Sequence, residues 1–358
     1  MAEHWRVVDT GLRPAAQNIA LDRALLEARR AEEIPSTLRF LRFTPCALIG
    51  CGQSPGQELD LDFCRAGGIE IQRRLTGGDV MVLDEGQLVW ELYLSRRDTG
   101  TTDLRAISRR LCHAAACAVS ALGVNAAYRA QNDIEVDGRR ISDSAGVFDG
   151  DALLFQGTLL VDLDPAMPAR ASRLLGAAPG PASDRAASLK QLLGAKPDIA
   201  KIRRYLTEAF ESEFGVEFGE GDLTLSEHAR FRTALREIGH PDWINLVSRP
   251  AAELTLLQVQ LQTAAGRLRA AMAYDCPTRV IRQAWFATEP ALAPPRVLAD
   301  LEAALRHLPA DRLAQRIERF IAGRQPDLRP FAAADFVEAL QRTLGQLLPA
   351  GINEKNEL

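Results

Sequence analysis

The sequence predicts an α+β fold in two parts, a larger domain followed by a smaller one. Three observations lead there. The 358 residues are long for a single core. Apolar residues at helical spacing and short strand-like runs are interspersed over the first two thirds of the chain. Near residue 236 the pattern starts afresh, with alternating strands followed by two helices. The expected bounds are 1–235 for the larger domain, 236–350 for the smaller and 351–358 for a tail.

The elements follow in chain order. Residues 18–30 (NIALDRALLEARR) space their apolar side chains as a helix does. Residues 38–50 read as two short strands broken at Pro45, and 60–66 as a short helix ending before Gly67-Gly68. Residues 69–74 run as a strand into Gly77-Gly78. Residues 80–94 form a hairpin turning at Asp84-Glu85-Gly86. A long helix spans 101–122, with Thr101 or Thr102 as its cap and Ile107, Leu111, Ala115 and Ala118 on its inner face. Strands follow at 132–137 and 153–162, then a loop at 175–184 and a helix at 199–214. In the accessory region 252–261 and 266–274 alternate as strands, and 296–308 and 311–323 read as helices separated by Pro309.

Composition excludes several classes. The chain is 47% hydrophobic and 25% charged with a formal net charge of −4, and it carries no basic block for nucleic acid or anionic lipid. No stretch approaches the roughly 20 apolar residues of a membrane span. Met1-Ala-Glu-His-Trp-Arg lacks the basic start and apolar run of a signal peptide, so a cytoplasmic location is expected. Six cysteines without a CxxC pair read as reduced, mostly buried thiols. Lysine occurs only at 190, 196, 201 and 355, which leaves 39 arginines among the 43 basic residues.

Three clusters carry chemistry. Arg73-Arg74-Leu75-Thr76-Gly77-Gly78 leaves a strand and enters a tight loop, where glycines let backbone N–H groups approach an anion. Asn132-Asp133 precedes Gly138-Arg139-Arg140-Ile141-Ser142. In Phe155-Gln156-Gly157-Thr158-Leu159-Leu160 a glycine sits inside a strand, which costs stability unless a ligand or backbone comes close. Each alone reads as an ordinary turn or hairpin. In this order they resemble the biotin/lipoate ligase superfamily, most closely its lipoate–protein ligase branch, which carries RRxxGGGxVxxD, ND…GRKxSG and HGTLL. Here the stretches are RRLTGGDVMVLD (73–84), ND with GRRISD (132–133 and 138–143) and QGTLL (156–160). NIALDRALL resembles the family's opening helix, and GRLRAAMAYD…IRQAWFATE its accessory domain. DEGQL and FDGDALLFQGTLL are similar to a branch fused to that domain and tied to bacterial sulfur oxidation.

The resemblance implies a mixed-sheet, biotin/lipoate ligase-like catalytic domain that attaches lipoate or octanoate to a lysine of a lipoyl-domain acceptor, of H-protein or 2-oxoacid dehydrogenase E2 type. ATP and Mg²⁺ are the implied co-substrates, through an acyl-adenylate. Arg140 takes the catalytic position. Arg73, Gly77, Gly78, Asp79, Val80, Asn132 and Asp133 take the nucleotide and phosphate positions, with Asp133 also toward Mg²⁺. Arg74, Ser142, Gly157 and Thr158 take the acyl positions. Four residues depart from the pattern. Asp79 replaces a glycine, Leu83 a frequent histidine, Arg140 the lysine and Asp143 a glycine. Arginine is a planar fork where lysine is a compact point charge. Each new carboxylate beside a polyphosphate costs about 4 kcal/mol at about 4 Å and an effective dielectric near 20. The alternative is therefore a diverged paralogue that binds an acyl chain or lipoyl domain without adenylation. Octanoyltransferase relatives need a cysteine near the acyl pocket, and 124–131 (VNAAYRAQ) contains none.

Overall fold

The computed structural model describes residues 4–129, 133–163, 166–180, 182–292, 296–322 and 329–347. The chain divides into two compact units. The first is Met1–Arg173 with Pro181–Arg249, and the second is Leu174–Gly180 with Pro250–Leu358. The division falls at Arg249/Pro250 rather than at 235/236, and the expected tail lies outside the described residues. The boundary moved because the helix at 225–238 packs on the first helix of the chain and belongs to the first core.

The first unit is built on an eight-stranded mixed sheet. Its strands are β1 (His4–Arg13), β2 (Thr37–Phe43), β6 (Gln87–Ser95), β7 (Ala126–Arg129), β8 (Asp133–Val136), β9 (Arg139–Asp149), β10 (Ala152–Leu160) and β11 (Glu217–Glu220), in the order β11-β1-β2-β6-β10-β9-β8-β7. β1 runs parallel to both β11 and β2, and the other pairings are antiparallel. A second, three-stranded sheet joins β3 (Cys46–Ile49), β4 (Glu70–Arg73) and β5 (Met81–Leu83) in the order β4-β3-β5. Three helices lie against the large sheet, α1 (Ala15–Arg30), α2 (Leu104–Ser120) and α3 (Ile199–Phe214), and α4 (Leu225–Ile238) packs on α1.

Alternation along β6 explains the layering, because successive side chains face opposite sides of a sheet. Leu88, Trp90, Leu92 and Leu94 join Ile107, Leu111, Ile202, Leu206 and Phe210 in the core under α2 and α3. Val89 and Tyr93 face α1 instead. Between them Glu91 meets a buried guanidinium: Arg39 donates to Asp22 (2.6 Å), Glu91 (2.9 Å) and the Asn18 side-chain oxygen (2.7 Å), and the Tyr93 hydroxyl donates to Glu91 (2.6 Å). Burial and the neighbouring Glu91 raise the Asp22 carboxyl well above the usual range.

The second unit is a four-stranded antiparallel sheet of β12 (Leu254–Thr263), β13 (Gly266–Asp275), β14 (Val280–Glu289) and β15 (Leu308–Pro309). Three helices (Arg296–Ala304, Leu313–Ala322 and Ala333–Gly345) bring Leu301, Ile317, Ile321, Phe336 and Leu340 into its core, joined by Leu305 just past the first. Among the described residues no helix is long and apolar enough to cross a membrane.

Candidate functional site

The glycine loop is shaped from below by Arg74. This side chain is buried and donates to four oxygens: Leu48 O (3.0 Å), Thr76 Oγ1 (3.1 Å), Gly77 O (2.7 Å) and Asp79 O (2.7 Å). Carbonyls 77 and 79 therefore turn inward, and Gly78 between them takes φ +96°, where a side chain is strained. The N–H groups of Gly77 and Gly78 make no hydrogen bond among the described residues. The loop's neighbour is just as tight. A Cβ on Gly50 would lie 2.4 Å from Gly78 O, so only glycine lets the two loops touch. Burial lowers the Arg74 guanidinium to about 10, against the nearby charges of Asp79 and Asp143 that favour its cation.

Arg140 stands at the start of β9. It donates to Asp143 Oδ1 at 2.7 Å. Asp143 first, then Asp133 and Asp79, raise its pKa against its own desolvation, so three carboxylates favour its cation. Register produces this: Asp133 of β8 is the direct partner of Asp143 of β9, a like-charged pair that Arg140 offsets. The backbone of Arg140 is fixed as well. Its N–H donates to Arg185 O (2.9 Å), and its carbonyl accepts from Ala187 N (3.0 Å). Asp143 is held by Thr158, whose hydroxyl accepts from Asp143 N (3.1 Å) and reaches Asp143 O (3.3 Å). Gln156, where the family has histidine, accepts from Thr76 Oγ1 at 2.8 Å and so joins β10 to the glycine loop.

The structure thus brings Arg74, Gly77, Gly78, Asp79, Asp133, Arg140, Asp143 and Thr158 into one neighbourhood. Four expected residues stand differently. Arg73 spends all five N–H donors on main-chain carbonyls of Gly50, Cys51, Trp243, Ile244 and Val247, so a contact with phosphate would require breaking them. Gly157 is opposite Trp90 in β6, and a Cβ there would lie 2.2 Å from the indole. The glycine makes room for a core side chain rather than for a ligand. Ser142 is buried with its hydroxyl unpartnered among the described residues. Val80 packs in a small core with Ala47, Ile49 and Val82. Asn132 lies outside the described residues. Leu83 is buried beside Leu48 and Met81, an apolar slot.

Gln156 and Thr76 stand in clusters named from the sequence, but the bond between them was not foreseen. Their signal was the pairing of a loop hydroxyl with a polar residue inside an otherwise apolar strand. Among the described residues no three His, Cys, Asp or Glu side chains are grouped to hold a metal ion.

Comparison with known proteins matches this geometry to one family. Residues 14–211 match the model of the lipoyl protein ligase A/B catalytic domain. The octanoyltransferase LipM of Symbiobacterium thermophilum is 30% identical over 272 residues, covering 68% of this chain and 98% of that protein. Among solved structures, the bi-partite lipoate protein ligase of Thermoplasma acidophilum has a TM-score of 0.62 at 22% identity, covering 69% of this chain and 98% of that one. LipL1 of P. falciparum, in complex with lipoate, has a TM-score of 0.56 at 15% identity and covers 96% of this chain and all of its own. At these identities the structures show the fold; the family model and the sequence relative show the kinship, and this chain belongs to the lipoyl protein ligase A/B family.

Proposed function

We propose that this protein attaches lipoate or octanoate, in the cytoplasm, to a lysine of a lipoyl-domain protein through an acyl-adenylate made from ATP. The observation that carries the reading is the inverted glycine loop. Arg74 gathers the carbonyls of Gly77 and Asp79, which turns the N–H groups of Gly78 and Val80 to the opposite side, where an anion would bind. In the first step the acyl carboxylate attacks the α-phosphorus and pyrophosphate leaves. In the second the acceptor lysine attacks the acyl carbon and AMP leaves, its proton passing to solvent or a nearby base. Arg140 supplies positive charge to the acyl and phosphate oxygens, and Mg²⁺ carried by the nucleotide offsets Asp79, Asp133 and Asp143. Acyl-dependent exchange of pyrophosphate into ATP tests the adenylation step. Exchange that requires octanoate or lipoate supports it; none at millimolar ATP removes it.

A second reading, direct acyl transfer without adenylation, is favoured by the three carboxylates around Arg140, which weaken the site for polyphosphate. The name of the Symbiobacterium relative agrees with it. Against it, β7 (Ala126–Arg129) carries no thiol, and the buried Cys112 that touches Ser144 at 3.1 Å is pushed up to about 11 by its burial.

A further inference from the structure

Arg73 is a buried cation with no carboxylate partner among the described residues. It is 1% exposed, and burial lowers its pKa. Such a charge is costly unless its donors are satisfied. Here they are satisfied from two sides. Nη1 donates to Gly50 O (3.0 Å) and Cys51 O (2.8 Å). Nε donates to Trp243 O (3.1 Å), and Nη2 to Ile244 O (2.6 Å) and Val247 O (3.3 Å). The chain at 241–249 answers in kind. Trp243 Nε1 donates to Arg73 O (2.9 Å), and Arg249 N donates to Ser54 Oγ (2.9 Å). The first of these two faces, in turn, touches the glycine loop: Cys51 N donates to Thr76 O (3.0 Å), and Gly50 abuts Gly78 O.

We propose that Arg73 is a positioning residue that ties the setting of the glycine loop to the 241–249 segment through the Gly50–Cys51 loop. It rests on reading Gly77 and Gly78 as the anion-binding backbone. Arg73 touches neither glycine. It fixes the carbonyls of residues 50 and 51, whose far side is the surface against which residues 76–78 lie. Only a guanidinium spans both faces at once: lysine offers three donors from one point, and methionine none. The position therefore asks for arginine although no anion contacts it.

The test uses the full chain with Arg73→Met and Arg73→Lys. Amide hydrogen exchange is followed in peptides covering 50–53, 76–80 and 241–248, with β10 and α2 as references. The proposal expects exchange to rise at least about fivefold in all three segments for Arg73→Met, as befits the loss of several hydrogen bonds, with β10 and α2 unchanged. Arg73→Lys falls between. In pyrophosphate exchange, KM for ATP should rise more than KM for octanoate. Two results overturn the proposal: loosening at 241–248 with 76–80 unchanged, or equal loosening everywhere, which marks a purely structural residue. A wild-type protein without exchange activity would count against the proposed reaction and leave the hydrogen-exchange result to stand or fall by itself.

Discussion

Replacing Gly157 by alanine separates two explanations for a glycine in the middle of a central strand. A Cβ at this position would meet Trp90 at 2.2 Å (Cζ2), 2.4 Å (Cε2) and 2.8 Å (Nε1). Ordinary carbon contact needs about 3.5 Å or more, so the indole must retreat by more than about 1 Å. It has nowhere to go. Trp90 is fully buried, with Phe155 at 5.9 Å and Phe210 at 5.0 Å between ring centroids. Overpacking of this kind costs about 1–3 kcal/mol, and the better strand propensity of alanine returns about 0.5–1 kcal/mol of that. A net loss of about 1–2 kcal/mol is expected from urea denaturation at constant m-value. Trp90→Phe in the same chain should relieve the clash, so the double variant should be less destabilised than the sum of the singles by about 1 kcal/mol. A Gly157→Ala protein within about 0.5 kcal/mol of wild type, yet unable to bind octanoate, would refute the packing account and restore a ligand role for the glycine.

Further expectations follow from the charged groups. Arg39→Met leaves Asp22 and Glu91 buried without their cation and should cost about 3–5 kcal/mol in the same assay. The raised Asp22 pKa means that the folded state holds a proton the unfolded chain has released, so stability falls as pH rises from about 4. Asp22→Asn should therefore flatten that fall, seen as a smaller wild-type-like decline in denaturation midpoint between pH 4 and neutrality; an unchanged slope would exclude Asp22 as its source. Asp143→Asn frees Arg140 from its 2.7 Å partner and removes one carboxylate from the nucleotide side, so KM for ATP should drop severalfold in pyrophosphate exchange. In the native protein an alkylating reagent should label Cys51, Cys117 and Cys276, which are exposed, and spare Cys46, Cys64 and Cys112, whose pKa values burial raises.

Much of the fold was legible where one period dominates. The helix expected at 101–122 is observed at Leu104–Ser120, that at 199–214 at Ile199–Phe214, and the strand expected at 153–162 at Ala152–Leu160. The first strand, His4–Arg13, was not foreseen, because its alternation is broken by a register shift between Asp9 and Leu12. The helix at Leu225–Ile238 was also passed over, although Thr224 and Glu227 form the capping box that announces it. At the accessory end, the helix expected to 308 stops at Ala304, and Leu308–Pro309 joins the sheet beside β14. The site was legible as motif and order, since Arg74, Gly77, Gly78 and Arg140 gather as the pattern implies. Roles were less so. Whether an arginine faces a ligand or a set of carbonyls depends on chain far away in sequence, as Arg73 and Val247 illustrate.

The measurement closest to the central claim is the intact mass of an apo lipoyl domain incubated with this protein. One arm supplies octanoate, ATP and Mg²⁺; the other supplies octanoyl-loaded carrier protein without ATP. The account predicts a single octanoyl addition on the acceptor lysine in the first arm and its absence when ATP is omitted. Acylation only in the second arm would contradict it, and would assign this chain to direct acyl transfer.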